Sequence, residues 1–405
     1  MSPIDRRSFL HGGLGAVAAL YAGSAQARVL PRDMAPLIGP GYRAQDEDEK
    51  GLWQLMERVE EEVSGSNLLI RDDRLTTYLG DIIGRVGGPA AKDMRIYLAR
   101  IPEFNAVMFP TGFAVVFSGL LLRMRNEAQL AGVIAHESAH FLRKHQLRGW
   151  RDTRRKTDIF SFLAMGAGVA GGATGVYAGD LVRLAQFGTI LSLLRYNRTL
   201  EAEADAMGVR LLADAGYDPM SMSETWEQLI GELNLSAKYR GKHRERDFAL
   251  FSTHPSPESR MADLKLSAAE VRQPGKSYRD FRDRYLAELA GIRPQLLDDQ
   301  VKLNDPGASQ YVVETLARDG WNGFLRFHEG EIWRLRGKKG DEERAAQGYA
   351  AAVFYADAPA DAWRWHGIML QKRGRTGEAK AAFTRYLQMA PNAPDAPFVR
   401  QMLAS

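Results

Sequence analysis

The sequence predicts a mainly α-helical protein of the α+β class, in which a helical domain with a small β-sheet precedes a domain of helical repeats. Three observations support this. Amphipathic helical patterns dominate the chain, short strand-like runs fall between residues 95 and 117, and residues 294–405 have the texture of helical hairpins. A chain of 405 residues is also long for one core, so two domains are expected.

Composition restricts the classes of protein and of site. Hydrophobic residues make up 45% and charged residues 26% of the chain, as in a soluble globular protein. The net charge of +4 is mild and gives no support to nucleic-acid binding. Because the chain contains no cysteine, disulfides and thiolate metal sites are excluded, and any metal ligands must be histidines or carboxylates.

The N-terminus has the features of an export signal. Asp5-Arg6-Arg7-Ser8-Phe9-Leu10 fits the twin-arginine pattern, a weakly hydrophobic stretch follows, and Ala25-Gln26-Ala27 fits a cleavage site. We therefore predict a signal peptide at residues 1–27 and a mature protein in the bacterial periplasm. An uncleaved N-terminal anchor is the alternative.

The next part of the chain predicts two helices, three strands and a short helix before a longer one. Asp72 suits a helix start, Gly87-Gly88 a helix end, and Asn126-Glu127 the start of the longer helix. The third strand is a candidate edge strand for pairing with an extended substrate. The predicted elements are helices at 51–64 and 72–86, strands at 95–100, 104–110 and 113–117, and a helix at 119–123.

The longer helix carries the motif that points to chemistry. In His136-Glu137-Ser-Ala-His140 the two histidines are four residues apart and share one helical face. One Zn²⁺ can bind both imidazoles at roughly 2.0–2.1 Å. Glu137, next to the first ligand, can accept a proton from water. An accidental match on a surface helix is the alternative.

A second helix supplies the missing ligand. Catalytic zinc usually has three protein ligands, and Glu201 and Asp205 share a face of the helix predicted around residues 196–205. Glu201 is the predicted third ligand. Asp205 is the predicted outer carboxylate that holds a ligating histidine by its other ring nitrogen. Glu203 points away in this pattern and is interpreted as a solvated charge.

Two adjoining stretches allow several interpretations. Residues 143–156 are strongly basic, which fits a solvated helix end or attraction to an anionic membrane surface. Residues 159–179 carry no charge. We prefer a membrane-adjacent or lid-like helical segment there, and core packing or a true membrane span are the alternatives. Peripheral membrane contact is thus one prediction.

The C-terminal part matches a repeat pattern. Ala362-Trp363, Gly367, Ala379, Phe383 and Pro391 fit the tetratricopeptide (TPR) repeat of roughly 34 residues. Weaker copies precede it. Such hairpins stack and present a surface for a protein partner, and a simple helical cap is the alternative. The predicted domains are the signal peptide, a metallopeptidase domain at 28–290 and a TPR-like domain at 294–405.

These motifs together resemble the exported bacterial metallopeptidases of the BepA type, relatives of HtpX and the CAAX prenyl proteases. Asn197 departs from the pattern, since relatives commonly have serine there. The resemblance covers about residues 45–405 and rests on Asn105-Ala106, Pro110-x-Gly112, Ser118 to Leu121, Asn126-Glu127-x-x-Leu130, His136 to His140, Tyr196-x-Arg198-x-x-Glu201-x-Glu203-Ala204-Asp205, Thr253-His254-Pro255, Arg260 and the repeats.

The resemblance implies a gluzincin-like fold with one zinc ion per chain. His136, His140 and Glu201 would be its ligands and Glu137 the general base. His254, on local grounds an ordinary loop histidine, would occupy the fourth zinc position in a self-inhibited state. Unfolded or misassembled outer-membrane proteins are the implied substrates, and the assembly machinery of the outer membrane is the implied partner of the repeats.

The sequence therefore predicts a zinc-dependent metalloendopeptidase. A periplasmic chaperone that acts mainly through its repeats is one alternative, and a membrane-embedded metalloprotease is the other. Tyr196, Arg260 and His254 are candidates for stabilising the oxyanion, and the residues alone do not separate them.

Overall fold

A computed structural model describes residues 34–154, 196–240 and 257–404. The predicted signal peptide, the charge-free segment 159–179 and His254 fall outside these ranges. Residues up to Ala35 belong to a separate unit, and the description here concerns Pro36 onward.

Within the described ranges the chain is mainly helical with one small sheet, which confirms the predicted fold class. The helices and strands are α1 Glu47–Ser64, α2 Asp73–Val86, β1 Arg95–Ala99, β2 Ala106–Met108, β3 Phe113–Phe117, α3 Ser118–Arg123, α4 Glu127–Leu142, α5 His145–Arg154, α6 Arg198–Asp214, α7 Met220–Arg240, α8 Pro257–Val271, α9 Arg282–Leu289, α10 Arg293–Lys302, α11 Pro306–Leu316, α12 Gly323–Arg336, α13 Asp341–Ala352, α14 Ala360–Lys372, α15 Thr376–Met389 and α16 Ala396–Ala404.

Local sequence signals explain where several helices begin. Asp46 and Asp72 cap α1 and α2, because their side chains accept hydrogen bonds from backbone amides three residues further on. Asn126 caps α4 in the same way, accepting from the amide of Gln129 at 2.9 Å. The helix starts predicted at Asp72 and Asn126 are therefore confirmed.

The sheet has the strand order β1-β3-β2, so β3 is its central strand. Strand β3 pairs in parallel with β1 and antiparallel with β2, with Val115 opposite both Tyr97 and Val107. The prediction that residues 113–117 form an edge strand is wrong. All five residues of β3 are buried, as expected for a strand covered on both faces and flanked on both sides. Within the described residues β1 and β2 form the two edges of the sheet, and β2 is the edge strand that packs against the helix Glu127–Leu142.

Helix α4 lies at the centre of the predicted metallopeptidase domain. It packs against α2, α6, α7 and β2, and nearly all of its residues are buried. Polar side chains on such a helix are costly to bury unless they are paired or bind a ligand. The three titratable residues of its motif, His136, Glu137 and His140, are all buried.

A glycine allows α6 to approach α4 closely. A Cβ atom added at Gly208 would lie 3.1 Å from the backbone nitrogen of His136 and 3.2 Å from its Cα. Gly208 follows Glu201 and Asp205 at helical spacing on the same face of α6. The missing side chain therefore brings both carboxylates within reach of the histidines.

The C-terminal region consists of helices that pack largely on their chain neighbours. Helices α12 and α13 form one pair and α14 and α15 another, while α11 packs on both α7 and α12. The helical nature of this region agrees with the sequence analysis. Its assignment to TPR repeats and the boundary at 290–294 stay predictions.

A buried ionic network joins this region to helices of the predicted metallopeptidase domain. Arg123 on α3 donates to both oxygens of Glu232 on α7, with its Nη2 2.7 Å from Oε1. The same Nη2 donates to Gln300 on α10 at 2.7 Å. Because all three side chains are buried, the network fixes α10 against α3 and α7.

Among the helices that the structure describes, none combines the length and the apolar character needed to cross a lipid bilayer.

Candidate metal centre

Two helices bring three potential metal ligands together. The Nε2 atoms of His136 and His140 on α4 lie 3.0 Å apart. Glu201 on α6 places Oε1 3.3 Å from Nε2 of His140 and Oε2 3.6 Å from Nε2 of His136. All three residues are buried, and their ligand atoms lie within 4.8 Å of one another.

These spacings fit a tetrahedral ion. Four ligand atoms at about 2.05 Å from zinc lie about 3.3 Å from one another. The three observed separations fall on either side of that value. The donor set of two imidazoles and one carboxylate also suits zinc and leaves one coordination position for water or substrate.

The carboxylate of Glu137 lies between α4 and the edge strand. Its Oε2 accepts a hydrogen bond from the backbone amide of Met108 in β2 at 3.0 Å. The carbonyl of Met108 in turn accepts a hydrogen bond from Gln146 Nε2 at 2.9 Å. The strand is therefore tied to both α4 and α5, and the position of the Glu137 carboxylate is fixed by backbone.

Asp205 occupies the position predicted for the outer carboxylate. Its Oδ1 lies 2.9 Å from Nδ1 of His136. Arg260 donates to both Asp205 oxygens, from Nη2 at 2.6 Å and from Nε at 2.9 Å. Burial by itself raises the pKa of Asp205, but the Arg260 guanidinium and His136 outweigh it, so the pKa lies below its usual value. Asp205 is therefore ionised and able to orient His136.

Arg260 has several partners at this site. Its Nη1 lies 2.7 Å from Glu201 Oε2, and its guanidinium lies 4.4 Å from the centre of the Trp226 ring. These contacts place Arg260 as a support for the two carboxylates of α6.

Comparison with known proteins agrees with this geometry. Residues 70–268 match the sequence profile of peptidase family M48. This part of the chain is therefore similar to M48 peptidases. All three clustered ligand residues, Glu137 and Asp205 lie inside the matched range, which confirms the predicted class of metallopeptidase.

Several curated proteins resemble the chain. The beta-barrel assembly-enhancing protease of Escherichia coli is 29% identical over 262 residues, which are 64% of this chain and 50% of that protein. The same-named protein of Yersinia pestis is 29% identical over 69% of this chain and 58% of its own length. The mitochondrial metalloendopeptidase OMA1 of Schizosaccharomyces pombe is 28% identical over 52% of this chain and 58% of its own length. The chain thus spans about half the length of the E. coli relative. The resemblance to metallopeptidases of the BepA type is confirmed, whereas export and the TPR repeats stay predictions.

Helix α6 is capped by Asn197, the residue described above as a departure from the family pattern. The Asn197 side chain accepts hydrogen bonds from the amides of Thr199 and Leu200, both at 3.0 Å. Asparagine and serine cap helices about equally well. The departure therefore leaves the start of α6, and with it the position of Glu201, unchanged.

Tyr196 and the other oxyanion candidates differ in their surroundings. The Tyr196 ring stacks on His140 with the ring centres 3.7 Å apart. Burial, together with the charges of Glu137 and Glu201, raises the pKa of Tyr196 well above its ordinary value, so its hydroxyl stays protonated. Arg260 is engaged with carboxylates, and His254 lies outside the part of the chain that the structure describes. The predicted roles of all three stay predictions.

Glu203 is not a solvated charge, so the prediction for this residue is wrong. Its side chain is only 12% exposed and lies 3.3 Å from Arg148 and in contact with Arg143. Both cations come from the basic stretch 143–156, of which Lys144 and Arg151 also form ion pairs with carboxylates. The cause of the error is that helical spacing shows which face a residue occupies but not what packs on it.

The contact of His145 with His140 was not predicted from the sequence. His145 is fully buried and its Nδ1 lies 2.9 Å from Nδ1 of His140. The available signal was its position five residues after the second histidine of the motif, at the start of a basic helix.

A pocket of mostly apolar character opens beside His136 and Glu137. Its walls come from the edge strand, from α4 and from α7. The apolar residues that line it are Phe104, Ala106, Val133, Met222 and Trp226. Arg260 and Asp205 lie at its polar end.

Proposed function

We propose that this chain is a zinc-dependent endopeptidase of the bacterial periplasm that cleaves misfolded or misassembled outer-membrane proteins. The convergence of His136, His140 and Glu201 at tetrahedral spacing, with Glu137 beside them, carries the proposal. The similarity to M48 peptidases supports the peptidase chemistry. The name of the bacterial relatives, beta-barrel assembly-enhancing protease, supports the connection with β-barrel assembly.

The ligand set would hold zinc through His136, His140 and Glu201. When bound, zinc supplies a Lewis acid that polarises the scissile carbonyl and makes water more acidic. Glu137 accepts the proton of the attacking water and transfers it to the leaving amine. The Met108 amide orients the Glu137 carboxylate for both transfers, and Asp205 keeps the His136 ring in place.

The edge strand suggests how a substrate is held. On either side of β2, the Phe109 amide donates to the carbonyl of Phe113 and the Asn105 carbonyl accepts from the amide of Phe117. Because these groups alternate along a strand, Ala106 directs its backbone amide and carbonyl to the open edge, next to the apolar pocket. An extended substrate segment can pair there as an added strand. A folded substrate offers no free backbone, so the site favours unfolded chains.

The pocket suggests which residues are preferred. Val133, Met222 and Trp226 offer an apolar environment to a substrate side chain next to the cleaved bond. Large apolar side chains are mostly buried in folded proteins and become accessible when a protein misfolds. A pocket of this kind therefore reinforces the preference for misfolded chains.

Location and partner complete the proposal. The twin-arginine pattern at Arg6-Arg7 supports export to the periplasm. The helices from α10 to α16 would bind a protein partner. The name of the bacterial relatives supports the outer-membrane assembly machinery as that partner.

The test combines metal analysis with proteolysis of an unfolded substrate such as casein. We expect one zinc per wild-type chain, and Glu137→Gln should retain that zinc while cleavage falls about 10²–10⁴-fold. Glu61→Gln, on the exposed side of α1, is the control and should behave as wild type. Absence of stoichiometric zinc, or full activity of Glu137→Gln, would contradict the proposal. Unimpaired outer-membrane assembly in cells that carry only Glu137→Gln would favour the chaperone alternative.

A further inference from the structure

His145 is buried next to the ligand His140, on the side of the His140 ring that faces away from His136 and Glu201. Nε2 of His140 faces His136 and Glu201, while its Nδ1 lies 2.9 Å from Nδ1 of His145. The two rings are nearly perpendicular, at 78°, with centres 4.9 Å apart. Both side chains are fully buried, so water cannot replace this contact.

The turn between α4 and α5 puts His145 in this position. Lys144 adopts the left-handed conformation with φ 54°, which is uncommon for a residue with a side chain. Its amide donates to the carbonyl of Phe141 at 2.9 Å, and its ammonium lies 3.1 Å from Glu49 Oε1. The chain thus reverses within two residues, and the first residue of α5 returns onto the last turn of α4.

The hydrogen-bonding capacity of the rings fixes where the protons lie. A metal-ligating nitrogen carries no proton, so a neutral His140 that binds through Nε2 carries its proton on Nδ1. That N–H then donates to His145, which must accept at Nδ1 and carry its own proton on Nε2. The 2.9 Å separation of the two Nδ1 atoms fits this arrangement, in which a neutral His145 offers the lone pair of its Nδ1.

Glu203 contacts His145 on the side of the ring opposite His140. Nε2 of His145 lies 3.5 Å from Glu203 Oε2. The Glu203 carboxylate is itself paired with the guanidinium groups of Arg143 and Arg148. A fixed negative charge therefore faces the proton-bearing nitrogen of His145.

We propose that His145 and Glu203 form the outer support of the zinc ligand His140, with His145 as a positioning residue that accepts the Nδ1 proton of His140. The two ligating histidines are then held in place by different contacts. Asp205 contacts His136 directly, whereas Glu203 acts on His140 through an intervening imidazole. Such supports fix the tautomer and the ring orientation of a ligand and raise its basicity. The inference rests on the metal site of the proposed function.

Metal affinity gives a readout that is independent of proteolysis. His145→Phe keeps a ring of similar size but removes the acceptor, and we expect zinc binding, measured by competition with a chromophoric chelator, to weaken about 10–100-fold. His145→Asn places an amide oxygen near the former Nδ1 and should recover most of the affinity. His366→Phe, the same substitution in α14, is the control and should bind zinc as wild type.

Two further measurements keep the inference open to refutation. The visible absorption of the Co²⁺-loaded protein should change in His145→Phe and return in His145→Asn, which a loss of packing alone would not produce. If His145→Phe does not fold, Glu203→Gln replaces it, with a smaller loss of affinity expected. Wild-type affinity in His145→Phe or Glu203→Gln, or an Asn variant as weak as the Phe variant, would overturn the inference and leave the proposed function intact. Failure of the wild-type chain to bind zinc would remove both.

Discussion

Asp205 Oδ1 lies 2.9 Å from Nδ1 of His136, on the side of the ring opposite the nitrogen that faces His140 and Glu201. The contact joins α6 to α4 and uses the one nitrogen that a metal would leave unoccupied. Arg260 holds the same carboxylate through two hydrogen bonds. The orientation of His136 is therefore set before any metal arrives.

The first prediction concerns Asp205→Asn. Loss of the charge weakens the hold on His136 and leaves the buried Arg260 with one fewer ionic partner. We expect zinc affinity to fall about 10–100-fold, measured by chelator competition. Asp214→Asn, at the exposed end of the same helix, should bind zinc as wild type. Equal affinities of the two variants would show that Asp205 does not support the ligand.

The second prediction concerns Gly208→Ala. The new methyl group would lie about 3.1 Å from the backbone of His136, which cannot move without shifting α4. Overpacking of this kind costs about 1–3 kcal/mol, and we expect a matching loss in the free energy of unfolding together with weaker zinc binding. Gly84→Ala in α2, where nothing lies within 4 Å, should instead stabilise the protein by up to about 1 kcal/mol. Chemical denaturation of both variants checks this, and an unchanged Gly208→Ala would argue against close helix contact.

The third prediction concerns the buried network of Arg123. Arg123→Met leaves Glu232 buried without its ionic partner, and we expect a loss of about 3–5 kcal/mol in the free energy of unfolding. The double variant with Glu232→Leu removes both charges and should recover most of that loss. Denaturation curves of the single and double variants measure the coupling. If the losses in unfolding free energy of Arg123→Met and Glu232→Leu simply add in the double variant, the network does not act as a unit.

The fourth prediction concerns the apolar pocket. Val133→Phe reduces the space beside His136, so cleavage should shift toward sites with small side chains, whereas Val133→Ala should extend the range toward large aromatic ones. A change of a few methylene groups is worth about 1–3 kcal/mol, which corresponds to about 10–200-fold in relative rate. Mass spectrometry of products from a peptide library, with zinc content as the control, measures this. Identical cleavage profiles would place the specificity elsewhere.

Features that depend on neighbours along the chain could be predicted from the sequence, whereas features that depend on distant contacts could not. The face shared by His136 and His140 follows from the helical period, and the cap at Asn126 from a side chain three residues from its partner. Both depend on neighbours along the chain, so both could be predicted. The order of the strands could not, because the apolar run of β3 fits a central strand as well as an edge strand.

By itself the sequence determined the helical class of the chain and the residues able to bind a metal, because periodicity and ligand chemistry are local properties. Only the tertiary structure decided that β3 is central and β2 lies at an edge of the sheet, that Glu203 is paired with arginines and that His145 contacts His140. Each of these depends on segments far apart in the chain, or on a turn held in an uncommon conformation, coming into contact. Packing, which the residue pattern does not encode directly, selects those contacts.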